Sequence, residues 1–401
     1  LILLDLSDSA ITGKDAEIAL DDFLVAAATI DAQNLIAEEA ALFPIDGDLV
    51  ARADDFDARA VEVLDRRTRL RLAQGRVRRR TSTGTETAWF ESLFTAAYLQ
   101  LDLLDGARER GNRRRAAAVR VRTLVEAQDS EWRRAIEAIE RDERYDGLRV
   151  RRMADLVPLG ANPQSGLWEF WHVPSGDRPV RGPNGNWRFA PETGIVLILI
   201  PGGESVVGNF KEGDALYAGI VEKDELPLRR LELDAFMIAA TEVTQAQWMR
   251  LVEGPNPASF HPGSTHNSNV AQVTNTLAHP LETVTWDAAL ACLRRHMLDL
   301  PTEFQWESAC RGNTKTVWWW GDTEVEGDGR ANLAFFEFQS KFRQMSPKEL
   351  PIDDDFVFTA PVGSFAANPF GLFDAIGNVA EWCRDSYAGD FSQVVTQPGD
   401  G

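Results

Sequence analysis

Hydrophobic and polar positions follow two rhythms along this 401-residue chain. Up to about residue 144 the rhythm is helical. Leu20 to Ala40 is apolar, Ala-rich and acidic, and Asp54 to Arg80 places Val61, Leu64 and Leu72 on one face among many charges, the mixture of an amphipathic helix. Thr81 to Gly84 breaks the pattern. A further helix is predicted from near Thr85, where Phe90, Leu93, Phe94, Tyr98 and Leu101 recur at roughly helical spacing. Gly106 and Gly111 predict another interruption, after which Arg113 to Arg144 reads as one long helix with Trp132, Ile136 and Ile139 on one face. These segments imply a helical bundle or an antiparallel helical hairpin.

From Tyr145 the rhythm shortens. Leu156 to Leu159, Leu167 to His172 and Trp187 to Ala190 read as short strands separated by turns at Asn162-Pro163, Ser175-Gly176 and Asn184-Gly185. Pro183-Asn184-Gly185 between two extended pieces predicts a hairpin. Ile195 to Ile200 is a continuous apolar run, the pattern of a buried strand. Thr244 with Gln247, and Thr302 with Gln305, match the capping box in which a Thr oxygen and a Gln side chain each serve an orphan backbone N–H. They predict helices that carry Trp248, Leu251 and Trp306. Between them Thr285 predicts a helix through Leu298, with Asp287 favourably placed in its first turn. The fold class is α+β: a helical region over 1–144, a small β-rich linker over 145–193, and a loop-rich mixed domain over 194–401.

Charge narrows the function. The formal net charge of -20 argues against nucleic-acid binding, because phosphate recognition runs on a basic surface. The Arg-rich patches at Arg76 to Arg80 and Arg113 to Arg115 therefore read as solvated faces paired with Asp and Glu. Cys292, Cys310 and Cys383 are an odd number without paired spacing, which implies no disulfide framework. They read as small buried hydrophobes, and their usage predicts a cytoplasmic location. No run reaches the 18 or so apolar residues of a spanning helix. A start at Leu1 and an end at Gly401, inside a polar segment, predict a piece open at both ends.

The chemistry gathers in Ala360 to Asp385, APVGSFAANPFGLFDAIGNVAEWCRD. Gly371 and Gly377 let the backbone turn where a Cβ would clash, and Asn368-Pro369 opens a turn. Asp374, Asn378, Glu381 and Asp385 set oxygen atoms beside these turns. Such oxygens suit a hard cation such as calcium, and they equally suit turn capping. The stretch resembles the signature of the formylglycine-generating enzyme family, the sulfatase-modifying factor domain, with Ala380 standing where that family usually has an aromatic residue. IPGG at Ile200, TEVTQAQW from Thr241, HPLETVTWDAA from His279, LPTEFQWESACRG from Leu300 and Ala331-Asn332-Leu333 follow the family's order. Over roughly Thr193 to Asp385 the resemblance implies a C-type-lectin-like variant with little regular structure, held together in part by Trp318, Trp319 and Trp320.

It also implies two structural calcium sites, one at Asn332, Leu333, Asp354 and Phe356 and one at Asp374, Gly377, Val379 and Glu381. Asp353 and Asp355 could exchange roles with Asp354. The family's chemistry is oxidation of a substrate cysteine to formylglycine at a cysteine pair holding Cu(I), a soft ion suited to thiolates. That pair follows the GNVAEW-like segment, beyond Gly401, so no catalytic residue is assigned and copper is expected only if such cysteines exist there. The segment before the domain resembles the lead-in of kinase-linked bacterial members. Three functions follow: a binding or regulatory module for a protein or peptide partner, with a protein kinase upstream; a copper-dependent oxidase; and a nonheme-iron sulfoxide synthase. The last joins this domain to a helical bundle with iron-binding histidines, and no His precedes His172. His261, His266 and His279 are assigned loop roles.

Overall fold

The helical rhythm of the first residues forms α1 (Gly13–Glu38), α2 (Leu49–Leu64), α3 (Arg66–Arg80) and α4 (Gly84–Ala127). The computed structural model describes residues 13–42, 49–80, 84–153, 155–208, 225–264, 274–333, 356 and 358–388. The chain divides into two units, Leu1–Arg120 and Val121–Gly401.

In the first unit one apolar line runs down each helix. Leu49, Ala53, Phe56, Ala60 and Val63 form it on α2, and Leu70, Ala73 and Val77 continue it on α3. The expected face through Leu72 is corrected: the helix breaks at Asp65, the register rotates, and Leu72 stands exposed. The expected interruption at Gly106 and Gly111 is corrected too. Helix α4 runs through both, because Phe94, Ala97, Leu101, Leu104 and Ala107 are buried at uninterrupted three- and four-residue steps. Gly111 is there for clearance, since a Cβ would stand 3.2 Å from Leu42 and Phe56. Ion pairs line the outside of these helices, Arg78 with Glu91 and Arg115 with Asp54, while buried Glu39 pairs with half-buried Arg110 at 2.5 Å and with buried Arg114 at 2.8 Å. Arg78 and Arg115 thus pair with acids on a solvated face as expected, whereas Arg114 is buried with Glu39. Most such exposed pairs contribute roughly 1 kcal/mol or less.

The second unit takes in the last residues of α4 and continues with α5 (Asp129–Arg141). The single helix expected over Arg113 to Arg144 is therefore interrupted at Gln128, and α5 buries Trp132, Ala135 and Ile139 on one face. Strands β1 (Leu156–Ala161), β2 (Trp168–His172), β5 (Val196–Ile200) and β8 (Phe236–Ala239) form one antiparallel sheet in the order β1-β2-β5-β8. All five residues of β5 are buried, which is why that strand reads as a continuous apolar run. β3 (Val180–Arg181) and β4 (Trp187–Arg188) make the hairpin expected at Asn184-Gly185, with Gly185 at φ +83°. β6 (Gly203–Val207) pairs with β7 (Arg229–Leu233).

Helices α6 (Gln245–Val252) and α8 (Glu303–Arg311) open on complete capping boxes at Thr244/Gln247 and Thr302/Gln305. Helix α7 (Trp286–Arg295) is capped by Thr285 and ends before the expected Leu298. The architecture is mixed helix and strand, with long loops joining its elements. Among the described residues no helix is long and apolar enough to cross a membrane.

Two buried polar groups set the energetics of this unit. The Glu169 carboxylate is fully buried, accepting from Asn162 Nδ2 at 2.7 Å and Trp187 Nε1 at 3.1 Å and pairing with Arg181. Burial raises its pKa, and Asn162, Arg181 and Trp187 oppose that rise. Arg181→Met is expected to lower stability by about 3 kcal/mol or more, because the carboxylate stays buried without its cation. Glu169→Gln, which removes the charge, is expected to lose less; urea denaturation of both variants checks the order, and equal losses would show that charge burial is not the cause. The His296 ring donates to the Leu251 carbonyl at 2.7 Å. Burial holds its pKa down at about 4, against an ordinary value of 6.5; the hydrogen bond to the Leu251 carbonyl and the Asp155 charge oppose the shift, while His172 and Arg295 add to it. The unfolded chain binds the proton first as pH falls through 6.5, so this group withdraws about 2 kcal/mol of stability by pH 5. His296→Gln is expected to reduce the difference in stability between pH 7.5 and pH 5 by a similar amount; an unchanged difference would exclude His296 as the source.

Candidate functional site

The loop from Ala360 to Asp385 has little regular structure, so side chains satisfy its backbone. Buried Asn368 donates to the Ala309 and Cys310 carbonyls at 2.7 and 3.1 Å and accepts from the Phe370 and Leu372 N–H groups at 3.0 Å. That one amide seals the C-terminal end of α8 and shapes the Asn368-Pro369 turn, whose Gly371 N–H returns to the Asn368 carbonyl at 2.8 Å. Asn378, at φ +58°, does the same for the other side. Its backbone N–H meets the Asn332 carbonyl at 2.8 Å, and its side-chain oxygen accepts from Ala360 N–H at 2.8 Å and Asn332 Nδ2 at 3.0 Å. Gly377 pairs beside Asn332, where a Cβ would run into the Asn332 carbonyl oxygen.

Three carboxyls stand behind this network. Asp374 is buried at φ +53°; its Oδ2 accepts from Gly363 N–H at 2.6 Å, while its Oδ1 has no partner. Glu242, just before the capping box of α6, is buried with Oε1 unpartnered and Oε2 3.5 Å from Asn378 Nδ2. Glu381 reaches solvent through the adjoining cavity, with protein close around the rest of it. Burial pushes Asp374 up to about 6 and Glu381 up to about 7; Trp306 opposes the rise at Glu381, and the Asp374 charge adds to it. Glu242 is raised well above the usual range by burial and then by the charges of Asp374 and Glu381. These carboxyls are therefore close enough to repel.

The cavity measures about 1070 Å³. Trp286, Trp306, Trp318, Trp319, Trp382 and Tyr387 line it, together with Glu303, Glu307, Arg311 and Asp385. Asp385 Oδ2 accepts the Glu303 N–H at 2.7 Å, adding a second acceptor at the start of α8. Of the three indoles expected to stabilise loops, Trp319 is buried, whereas Trp318 and Trp320 are half-buried and stack at 5.3 Å. Cys310 and Cys383 also face the cavity. Burial pushes Cys383 up to about 12, Cys292 up to about 11, and Cys310 well up, so all three remain protonated at neutral pH.

Asp374, Gly377, Val379 and Glu381 lie in one loop, and the last three line the cavity beside Asn332 and Leu333. The Asn332–Gly377 pairing joins this set to the first expected one. Phe356 packs edge-on against Phe365 at 6.0 Å, and Asn332 Nδ2 donates to the Phe358 carbonyl at 2.8 Å. Asp354 lies outside the described residues, as do Asp353, Asp355 and His266. His279 is buried and accepts at Nδ1 from Thr276 N–H at 3.0 Å, a turn role as expected. Among the described residues no three His, Cys, Asp or Glu side chains converge as metal ligands. The second set needs only two carboxylates with backbone carbonyls, and the unpartnered Asp374 oxygen is a hard donor of the kind calcium takes. Sequence reasoning missed Glu242, whose signal was an acid set within the strand-to-helix passage Ala239 to Thr244, and the indole wall, whose members come from separate segments.

The chain is 29% identical over 212 residues to the serine/threonine-protein kinase pkn1 of Chlamydia pneumoniae, covering 50% of this chain and 29% of the kinase. It is 29% identical over 229 residues to the formylglycine-generating enzyme of Streptomyces coelicolor, covering 48% of this chain and 69% of that enzyme. With the formylglycine-generating enzyme of Mycobacterium tuberculosis it shares 38% identity over 117 residues, which is 29% of this chain and 37% of the enzyme. The chain thus spans well under half of the kinase and of the mycobacterial enzyme. Residues 189–397 match the sulfatase-modifying factor enzyme 1-like domain, and the chain belongs to that family.

Proposed function

We propose that this chain is a binding or regulatory module built on a formylglycine-generating-enzyme-like domain, working in a multidomain bacterial signalling protein. The observation that carries the reading is the 1070 Å³ cavity walled by indoles, a concave and largely apolar site of the kind that receives a ligand or a protein segment. The similarity to pkn1, a named protein kinase that shares this part of its length, supports a partner protein and a signalling context.

Calcium serves this reading as a structural ion. Asp374 and Glu381 would hold it with the Gly377 and Val379 carbonyls; Asn332, Leu333, Asp354 and Phe356 would form the other site. A cation there would relieve the repulsion between Asp374 and Glu381 and cross-link the loop. The second reading, a copper-dependent oxidase that converts a substrate cysteine to formylglycine, is favoured by the relatives that bear that name. Cys292, Cys310 and Cys383 are free, and burial raises the pKa of each thiol.

Calcium is expected to raise the melting temperature of the wild type and chelator to lower it, with Glu381→Ala and Asp374→Ala abolishing the shift. A wild type indifferent to both additions removes the calcium assignment. Incubation with a cysteine peptide, Cu(I), oxygen and a thiol reductant, which supplies the two electrons the reaction needs, is expected to give no formylglycine by mass spectrometry. Formylglycine in the product would overturn the binding-module reading in favour of the oxidase.

A further inference from the structure

The cavity wall has a chemical preference that its size alone does not convey. Two of its indoles have their polar edges tied to backbone: Trp286 Nε1–H donates to the Cys383 carbonyl at 2.8 Å and Trp382 Nε1–H to the Val284 carbonyl at 3.0 Å. Trp306 Nε1 is buried beside the Glu381 carboxylate, whose pKa it lowers. What these residues offer a guest is ring surface. Trp382 and Tyr387 keep 50% and 82% of their surface exposed, so that surface is available.

The charge on the lining is one-sided. Glu225, Glu303, Glu307, Glu381 and Asp385 line the cavity, and among the described residues Arg311 is the one cation in its lining. Arg311 is already committed, to Glu307 at 2.6 Å and to the Gly208 carbonyl at 2.8 Å. Asp385 has Oδ2 on the start of α8 and a buried Oδ1 with no partner.

These features select among ligand classes. An anion would meet a negative lining. A neutral apolar guest would cover the rings and strip water from the carboxylates with nothing in return. A guanidinium seeks two parallel acceptors, and one oxygen of Asp385 is already used. An alkylated ammonium sets methyl or methylene groups on indole faces while its charge faces the carboxylates, so it uses both halves of the wall. We propose that the cavity binds an alkylammonium cation, with Trp382 and Trp306 against its alkyl groups and Asp385 and Glu303 facing its charge. The inference rests on the binding-module reading and names the ligand class for that cavity.

Isothermal titration of the full chain in calcium-containing buffer tests it, with choline, its uncharged carbon counterpart 3,3-dimethyl-1-butanol, N-acetyl-arginine amide and a trimethyllysine peptide as probes. Choline or the trimethyllysine peptide is expected to bind at least about tenfold more tightly than the alcohol. Trp382→Ala and Asp385→Asn are each expected to weaken that binding about fivefold or more, whereas Trp382→Phe, which keeps a ring, retains most of it. Circular dichroism of the variants separates lost binding from lost folding, and Asp385→Asn keeps an acceptor for the Glu303 N–H. A peptide tighter than choline assigns the cation to a partner protein's side chain; choline as tight or tighter assigns it to a free small molecule. The proposal is overturned if the alcohol or the arginine amide binds as tightly as the ammonium probes, results that leave the binding module standing. It is equally overturned if neither ammonium probe binds, whereas the binding-module reading itself fails only in the formylglycine assay.

Discussion

A buried chain without helix or strand must still satisfy its N–H and C=O groups, and in this domain a few side chains carry that duty. Asn368 serves two carbonyls at the end of α8 and two N–H groups of its own turn. Asn378 binds segments at Asn332, Ala360 and Glu242. Asp374 holds Gly363 in its turn. Remove these and the loop has no ladder to fall back on. The cavity depends on them, because Gly377 to Ala388 forms one of its walls and is anchored through them.

The same arrangement concentrates negative charge. Asp374, Glu242 and Glu381 are each shifted upward by burial, and the latter two also by neighbouring acids. Such a cluster is stable only when protons, hydrogen-bond donors or a cation offset it. Donors are few here, since Asp374 Oδ1 and Glu242 Oε1 have none. A loop core that favours cations thus adjoins a cavity whose lining is also acidic. The proposed structural ion and the proposed ligand would draw on one electrostatic field through different carboxylates.

The helical unit solves a different problem with simpler means. Alanines and one clearance glycine bring helices close, leucines and phenylalanines fill the space, and arginines pair with acids outside. Its buried acid Glu39 is paired with Arg110 and Arg114, unlike the Glu242, Asp374 and Glu381 group. The candidate site accordingly lies in the loop-rich unit, where irregular backbone places side chains that regular elements would not bring together.

Local signals in the sequence determined much of this protein. The capping boxes at Thr244 and Thr302, the Asn184-Gly185 hairpin, the buried strand Val196–Ile200 and the turn at Asn368 all lie where short-range chemistry puts them, because each depends on residues within about four positions. The ordered motifs from Ile200 to Asp385 also identified the family. The same short range misled where packing overruled it: Gly106 and Gly111 read as a break, yet a continuous apolar seam carries α4 through them, and Leu72 reads as core but faces solvent once the helix breaks at Asp65. Tertiary structure alone decided that Glu242 stands against Asp374 and Glu381, that Asp385 serves the start of α8, and that Trp286, Trp306 and Trp382 share one cavity. Those residues are far apart in the chain, and only the docking of α7, α8 and the loop core closes the distance between them.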